Sequence, residues 1–244
     1  MQRNLTARLF TKIAAIAIIV AVAVSCDKDP VPGQNQENKP TPSQKETFAI
    51  KPVEQMSLTE KIGQMFFLRV ETLAGSTTPA KSITQAMAEE FAKFPCGGFT
   101  LFADNIATPA QLYEIVHNCH KLGNYPLISI DEEGGRVARI GKNKNFDVPH
   151  FESMLSVGNT GNEANAFDAG KSIGNYLASC DIDIDLAPVA DVFTNPANTV
   201  IGDRAFSTDP VIAGNMSSQF LLGLKSKHVE GCLKHFPGHG DTST

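Results

Sequence analysis

The chain has 244 residues, of which 42% are hydrophobic and 19% charged, a balance that excludes disorder along its whole length. It carries 21 Lys+Arg against 26 Asp+Glu, a formal net charge of −5. Three of the bases, Arg3, Arg8 and Lys12, fall in the first 25 residues, where there is no acid, so the remainder is more acidic still. A broad basic surface is thereby excluded, and nucleic acid is not an expected partner. The absence of Trp removes one common carbohydrate-stacking side chain but leaves 15 Phe and 3 Tyr.

The N-terminus reads as an address. After the basic segment, residues 13–24 form an uncharged apolar run, too short to span a bilayer, for which about 20 residues are needed. A basic stretch, a short apolar stretch and then small residues make a secretory signal. The run ends Ala23-Val24-Ser25-Cys26, which resembles a bacterial lipobox, and the expectation is that residues 1–25 are removed and Cys26 is lipidated. That gives an exported, membrane-anchored lipoprotein on the periplasmic or cell-surface face; the alternative is ordinary secretion with an incidental Cys. Residues 26–47 follow with Pro30, Pro32, Pro40 and Pro42, many polar residues and one aliphatic side chain, Val31. Such a stretch cannot bury enough apolar area to offset its ordering entropy, and it reads as an extended tether. The folded part is expected over residues 48–244.

From there strands alternate with helices. Ser57-Leu58-Thr59-Glu60 is a capping box opening a short helix. Residues 66–70 form a first apolar strand. Residues 79–94 are predicted helical, with Ile83, Met87, Ala88 and Phe91 at helical spacing. A second strand covers 96–102. Thr108-Pro109-Ala110-Gln111 is another capping box, with Pro at the first helical position, and its helix ends at Gly123. A third strand over 126–130 is stopped by Asp131. A helix opened by Thr160-Gly161-Asn162-Glu163 and running to about Ala178, a fourth strand over 182–186, a helix capped by Asp209 and running to about His228, and a fifth strand beginning at Gly231 complete the pattern. No hairpin signal interrupts it. Four Cys remain in this part, none at CxxC spacing, so a zinc ribbon or thioredoxin motif is excluded. Cys96, Cys119, Cys180 and Cys232 are expected to be buried free thiols, with one disulfide possible.

Alternating strands and helices imply parallel strands with covering helices. A dinucleotide-binding sheet would want G-x-G-x-x-G in its first turn, and that pattern is absent. Polar residues instead follow several strands, with Asp131 after the third, Asp191 after the fourth, and Lys234 and His235 at the fifth. That is the habit of a (β/α)8 TIM-type barrel. Five strands in 197 residues fall short of the eight in about 250 that the fold usually takes. The expectation is therefore an incomplete barrel, about its first five βα units, from the first part of a longer protein.

Three segments carry the chemistry. Ile130-Asp131-Glu132-Glu133-Gly134-Gly135-Arg136-Val137-Ala138-Arg139 sets carboxylates and arginines around a Gly pair; carboxylates accept from sugar hydroxyls and arginines donate to them. A structural ion-pair loop is the plainer alternative. Ile201-Gly202-Asp203-Arg204-Ala205-Phe206 lies in a loop over residues 188–208, and loops this long are often functional. Lys234-His235-Phe236-Pro237-Gly238-His239-Gly240-Asp241 joins a cation, two imidazoles and a carboxylate to turn residues. His235, His239 and Asp241 leave a metal-dependent hydrolase open, although no zinc-protease spacing is present.

IDEEGGRVARI, IGDRAF and KHFPGHGDTST, in this order and each after a strand, resemble the N-terminal barrel of glycoside hydrolase family 3, in its β-N-acetylhexosaminidase branch. SLTEKIGQMFF and CGGFTLFADNI are similar to that family's opening segments, so the resemblance covers about residues 53–244. It implies that Asp131, Arg139, Arg204, Lys234 and His235 hold a terminal N-acetylglucosamine of an oligosaccharide, with no cofactor and no metal. It implies a retaining exo-hydrolase whose acid/base belongs to an Asp-x-His pair shortly after KHFPGHG and whose Asp nucleophile comes from a later strand. Both positions fall after Thr244, so the 244 residues alone are expected to be catalytically silent and poorly stable. A β-glucosidase of the same family and a surface glycan-binding lipoprotein without catalysis are the alternatives.

Overall fold

The computed structural model describes residues 50–243; the signal segment, the tether and Cys26 lie outside them. The first helix, α1 (Leu58–Gly63), begins where the sequence places it. Ser57 Oγ accepts the Glu60 N–H, and the Glu60 carboxylate accepts the Ser57 N–H in return. Strand β1 (Phe67–Arg69) follows. Helix α2 is confined to Gln85–Lys93, six residues shorter at its start than the periodicity suggests, because Thr84 caps it by accepting the Met87 N–H. Strand β2 (Gly98–Leu101) leads to α3 (Pro109–His120). Here only half of the second capping box forms. Thr108 Oγ1 accepts the Gln111 N–H, while the Gln111 side chain reaches past Thr108 to the N–H of Ala107.

Strand β3 (Leu127–Ile130) runs into a feature the alternation of elements did not foresee, a short antiparallel hairpin of β4 (Glu132–Gly134) and β5 (Val137–Ala138). Its turn uses Gly134 and Gly135 at φ 81° and 60°, left-handed values that cost glycine little. A one-turn helix, α4 (Met154–Gly158), capped by Ser153, was also unforeseen. Then come α5 (Glu163–Ser179), the two-residue strand β6 (Ile184–Asp185), α6 (Pro210–Lys225) and the two-residue strand β7 (Glu230–Gly231). The last two strands are shorter than the apolar runs that announced them.

Five strands pair in the order β1-β2-β3-β6-β7, every pair parallel. Once the small hairpin is set aside, spatial order equals chain order. That is the wall of an incomplete (β/α)8 barrel; a doubly wound sheet would reverse direction partway across. Phe99, Leu101, Ile128 and Ile130 of the wall pack with Leu112, Ile115, Ile173, Leu177 and Phe220 of the covering helices in one buried core. Burial per residue of this kind, about 1.5–3 kcal/mol for each large apolar side chain, is what holds such short strands in register. Cys96, Cys119 and Cys180 belong to that core as free thiols, as expected, but Cys232 is exposed. It sits just beyond β7, where no described element covers it. His120 is buried, its ring nitrogens 3.0 and 3.1 Å from the carbonyl oxygens of Pro126 and Asp181.

Candidate active site

The parallel strands all point their C-terminal ends to one face, and the polar residues of the three chemistry-bearing segments collect there. Asp131 follows β3, Lys234 and His235 follow β7, and Arg204 hangs over them from the loop between β6 and α6. Asp131 Oδ1 accepts a hydrogen bond from Lys234 Nζ at 2.6 Å, and Oδ2 accepts one from Arg139 Nη2 at 3.3 Å. Lys234 Nζ also lies 2.5 Å from Glu133 Oε1. Glu133 in turn takes a two-pronged bond from Arg204, with Nε 2.7 Å from Oε2 and Nη2 2.8 Å from Oε1. The lysine thus bridges two carboxylates, each of which is held from its other side by an arginine. Fork-shaped pairing of this kind fixes orientation as well as charge.

His235 completes the rim. Its Nδ1 is 2.6 Å from Asp191 Oδ2, and its Nε2 is 3.3 Å from Arg204 Nη2. Arginine can only donate, so Nε2 is the acceptor and Nδ1 carries the proton toward Asp191. Asp191 Oδ1 accepts the His239 N–H at 2.6 Å, which ties the rim to the next turn. The Lys234–His235 and Phe236–Pro237 peptide bonds are both cis.

Electrostatics follow the geometry. Burial alone would raise the Asp131 pKa, but the hydrogen bond and charge of Lys234, then Arg139, outweigh it and hold the carboxyl below its ordinary value. Arg204 is shifted upward, first by its bonds to Glu133. Glu132, between the two site carboxylates, behaves differently. It is fully buried, and its oxygens accept the N–H groups of Arg139, Ile140 and Gly141 and the Tyr176 hydroxyl. Burial raises its pKa. Alternation along an extended segment sends residues 131 and 133 to one side and 132 to the other. Glu132 therefore anchors the hairpin, while its neighbours face the pocket. Below it, Asp185 of β6 accepts the Glu132 N–H with one oxygen and leaves the other buried without a partner.

The five residues singled out from the sequence, Asp131, Arg139, Arg204, Lys234 and His235, line one pocket of about 450 Å³ together with Glu133, Val137, Leu186 and Cys232. The size lies within the roughly 300–1,000 Å³ of small-molecule sites. A neighbouring hollow of about 520 Å³ shares Lys234 and His235 and is walled by Asp191, Val192, Leu233 and Phe236. Phe236 is 98% exposed at its lip. Sequence reasoning placed Asp191 after a strand without its role as the partner of His235. It named Glu133 among its segment's carboxylates without singling it out as a site residue, although the alternation of the Asp-Glu-Glu run carries the signal. It passed over Asn198 and read Arg136 only as one of its segment's arginines, yet both anchor the long loop. Asn198 Nδ2 donates to the His239 carbonyl at 2.6 Å while Oδ1 accepts the N–H groups of Val200 and Ile201. Arg136 binds Asp203 and the carbonyls of residues 199–201.

Of the three residues considered for a metal, His235 is bonded to Asp191, His239 Nδ1 lies 2.8 Å from Thr242 Oγ1, and Asp241 accepts from Thr194. Among the described residues no three His, Cys, Asp or Glu side chains converge as metal ligands.

A parallel barrel wall with this pocket at its C-terminal face defines the class of a (β/α)8 enzyme domain. Residues 57–244 match the glycosyl hydrolase family 3 N terminal domain, and the chain belongs to that family. It is 31% identical over 204 residues to beta-hexosaminidase A of Pseudoalteromonas piscicida, covering 77% of this chain and 34% of that protein. It is also similar to the solved glycoside hydrolase family 3 beta-N-acetylglucosaminidase of Paenibacillus sp. str. FPU-7, at TM-score 0.67 and 28% identity, over 78% of this chain and 35% of the other. NagZ from Neisseria gonorrhoeae, solved with N-trifluoroacetyl-D-glucosamine, superposes at TM-score 0.59 and 28% identity over 66% of this chain and 48% of that one. The chain spans between a third and a half of the length of these relatives.

Proposed function

We propose that the protein is an exo-acting, retaining β-N-acetylhexosaminidase that removes terminal β-linked N-acetylglucosamine from an oligosaccharide. The observation that carries the reading is the charge-paired pocket in which Lys234 bridges Asp131 and Glu133 while Arg139, Arg204 and His235 close around them. A sugar ring offers hydroxyls that both donate and accept. A pocket of alternating carboxylates and cations, held rigid by its own ion pairs, meets them with both kinds of partner and with no reorganisation on binding. The relatives are named for beta-hexosaminidase or beta-N-acetylglucosaminidase activity, and one was solved with an N-acylated glucosamine.

In this reading Asp131, Arg139, Arg204, Lys234 and His235 bind and orient the sugar. Cleavage with retention needs a nucleophile and a separate proton donor. The family resemblance places both C-terminal to the KHFPGHG turn, so the reaction is proposed for the whole protein, and the turn's part is to aim its first two side chains. The lipid anchor at Cys26 would hold the enzyme at an exported membrane face. The test is hydrolysis of a chromogenic β-N-acetylglucosaminide by the full-length protein, with the matching β-glucoside as control. Turnover of the glucoside alone would move the assignment to a β-glucosidase.

A further inference from the structure

The cations of the sugar pocket are not held alike. Lys234 bridges two carboxylates, and Arg204 grips Glu133 with two nitrogens, at 2.7 and 2.8 Å. Arg139 is held more loosely. Its Nη2 lies 3.3 Å from Asp131 Oδ2, the Phe102 ring centroid lies 5.8 Å from its guanidinium carbon, and its Nε is buried without an acceptor. Contacts this long orient a side chain weakly. Where the guanidinium stands therefore depends on where the backbone puts residue 139.

That backbone is set by one buried carboxylate. Glu132 Oε2 accepts the N–H groups of Arg139 at 2.6 Å and Ile140 at 2.8 Å, and Oε1 accepts the Gly141 N–H at 2.7 Å. Three consecutive amides converging on two oxygens leave residues 139–141 little freedom. The fourth donor comes from outside the hairpin. The Tyr176 hydroxyl, on α5, donates to Oε1 at 2.8 Å. Glu132 and Tyr176 are both buried, and neither lines the sugar pocket. Burial pushes the Glu132 carboxyl up; the amides of Ile140 and Gly141, then the Tyr176 hydroxyl, oppose that by favouring its charged form. The space around the carboxylate is also full. A Cβ on Gly141 would stand 2.9 Å from Glu132 Oε1 and 3.7 Å from the Tyr176 hydroxyl oxygen.

We propose that Glu132 and Tyr176 are positioning residues for sugar binding, holding Arg139 at the pocket wall through its backbone. The inference rests on the hydrolase reading above and extends the residues that serve it from the pocket to helix α5. Glu132 by itself ties residues 139–141 only to their own segment. Tyr176 ties that unit to a core helix, as Asp185 ties it to β6. A binding group on a loop gains its precision from such supports on rigid elements.

The experiment is a double-mutant cycle on the full-length protein, read as kcat/KM on a chromogenic β-N-acetylglucosaminide beside the melting temperature. Tyr176→Phe removes one oxygen and keeps the buried ring. It is expected to lower kcat/KM by about tenfold, the scale of one hydrogen bond to a charged group. The loss should fall on KM, with kcat kept within about twofold, because Arg139 meets the sugar in the ground state as well as the transition state. In an Arg139→Ala background the same change should cost no more than about twofold, since the side chain it positions is gone. Gly141→Ala presses on the same carboxylate from the other side and should show the same dependence on Arg139; it carries the cycle if Tyr176→Phe does not fold. A purely structural role predicts equal losses in both backgrounds. That result, an unchanged kcat/KM, or a loss confined to kcat would overturn the proposal and leave the hydrolase reading standing. If the wild type does not cleave the glucosaminide, the hydrolase reading fails, and the cycle is read as Kd for N-acetylglucosamine by calorimetry. Equal losses there overturn the positioning role, and a wild type that does not bind the sugar overturns both.

Discussion

Replacing Lys234 with Ala separates binding from folding more sharply than any other change in the pocket. The side chain is 15% exposed, and its ammonium touches two carboxylates, Asp131 at 2.6 Å and Glu133 at 2.5 Å. A single charge pair at about 4 Å is worth roughly 4 kcal/mol at the effective dielectric of partly buried sites, most of it offset by desolvation. Glu133 keeps its two bonds to Arg204 and Asp131 keeps Arg139, so the folded state should lose only about 1–3 kcal/mol. A sugar bound in the transition state would lose a charged donor outright, about 2–4 kcal/mol, or roughly 30- to 1,000-fold in kcat/KM. The assay is kcat/KM of the full-length variant on a chromogenic β-N-acetylglucosaminide, beside its melting temperature. A second readout comes from Asp131. With Lys234 gone, the strongest influence lowering its pKa disappears, so an acidic limb of the pH profile governed by Asp131 should move to higher pH. A melting temperature that falls as described while kcat/KM stays unchanged would show that Lys234 is only a staple.

Asp185→Asn should stabilise the protein at neutral pH by about 1–2 kcal/mol. Burial, reinforced by the charge of Glu132, raises the Asp185 pKa well above its ordinary value despite the one N–H it accepts. A raised folded-state pKa gives stability that is present below the unfolded value near 3.8 and lost as pH rises through the folded value. Asn keeps the acceptor and does not titrate, so the melting temperatures of variant and wild type should diverge with rising pH; parallel curves would count against this. Gly240→Ala would put a Cβ 1.8 Å from the Val192 carbonyl oxygen, and a cost of about 1–3 kcal/mol with loss of sugar binding should show in denaturant titration and calorimetry. An unperturbed variant would mean the turn is not held against residues 191–194. Mass spectrometry of the mature N-terminus should find an acylated Cys26, and a mature chain starting elsewhere would exclude the anchor.

What the sequence made legible was whatever one residue or one period decides. Ser57 and Asp209 fix helix starts because each side chain accepts the orphan N–H groups of a first turn. The apolar runs gave the parallel strands because residues 98–101 and 127–130 carry no charge, and their one hydroxyl each, Thr100 and Ser129, pair with one another across the ladder at 2.9 Å. Less legible was whatever tertiary context decides. Strands β6 and β7 shrink to two residues each because the segments after them leave the ladder to build the site; Val189 and Lys234 still meet in one isolated bridge. The hairpin at residues 132–138 escaped notice because its strands are too short to show a period, although Gly134-Gly135 marked its turn. In the pocket, the cations were legible from their segments. The distant partners were not, since Glu133 lies 71 residues from Arg204 and Asp191 lies 44 from His235.

The central claim is that the pocket at the barrel's C-terminal face holds a terminal N-acetylglucosamine for retaining cleavage. Its most direct test is proton NMR of the full-length protein acting on 4-nitrophenyl β-N-acetylglucosaminide, with the β-glucoside in a parallel tube. The account predicts release of β-configured N-acetylglucosamine before mutarotation, and little or no turnover of the glucoside. An α-configured first product, or cleavage confined to the glucoside, would contradict it.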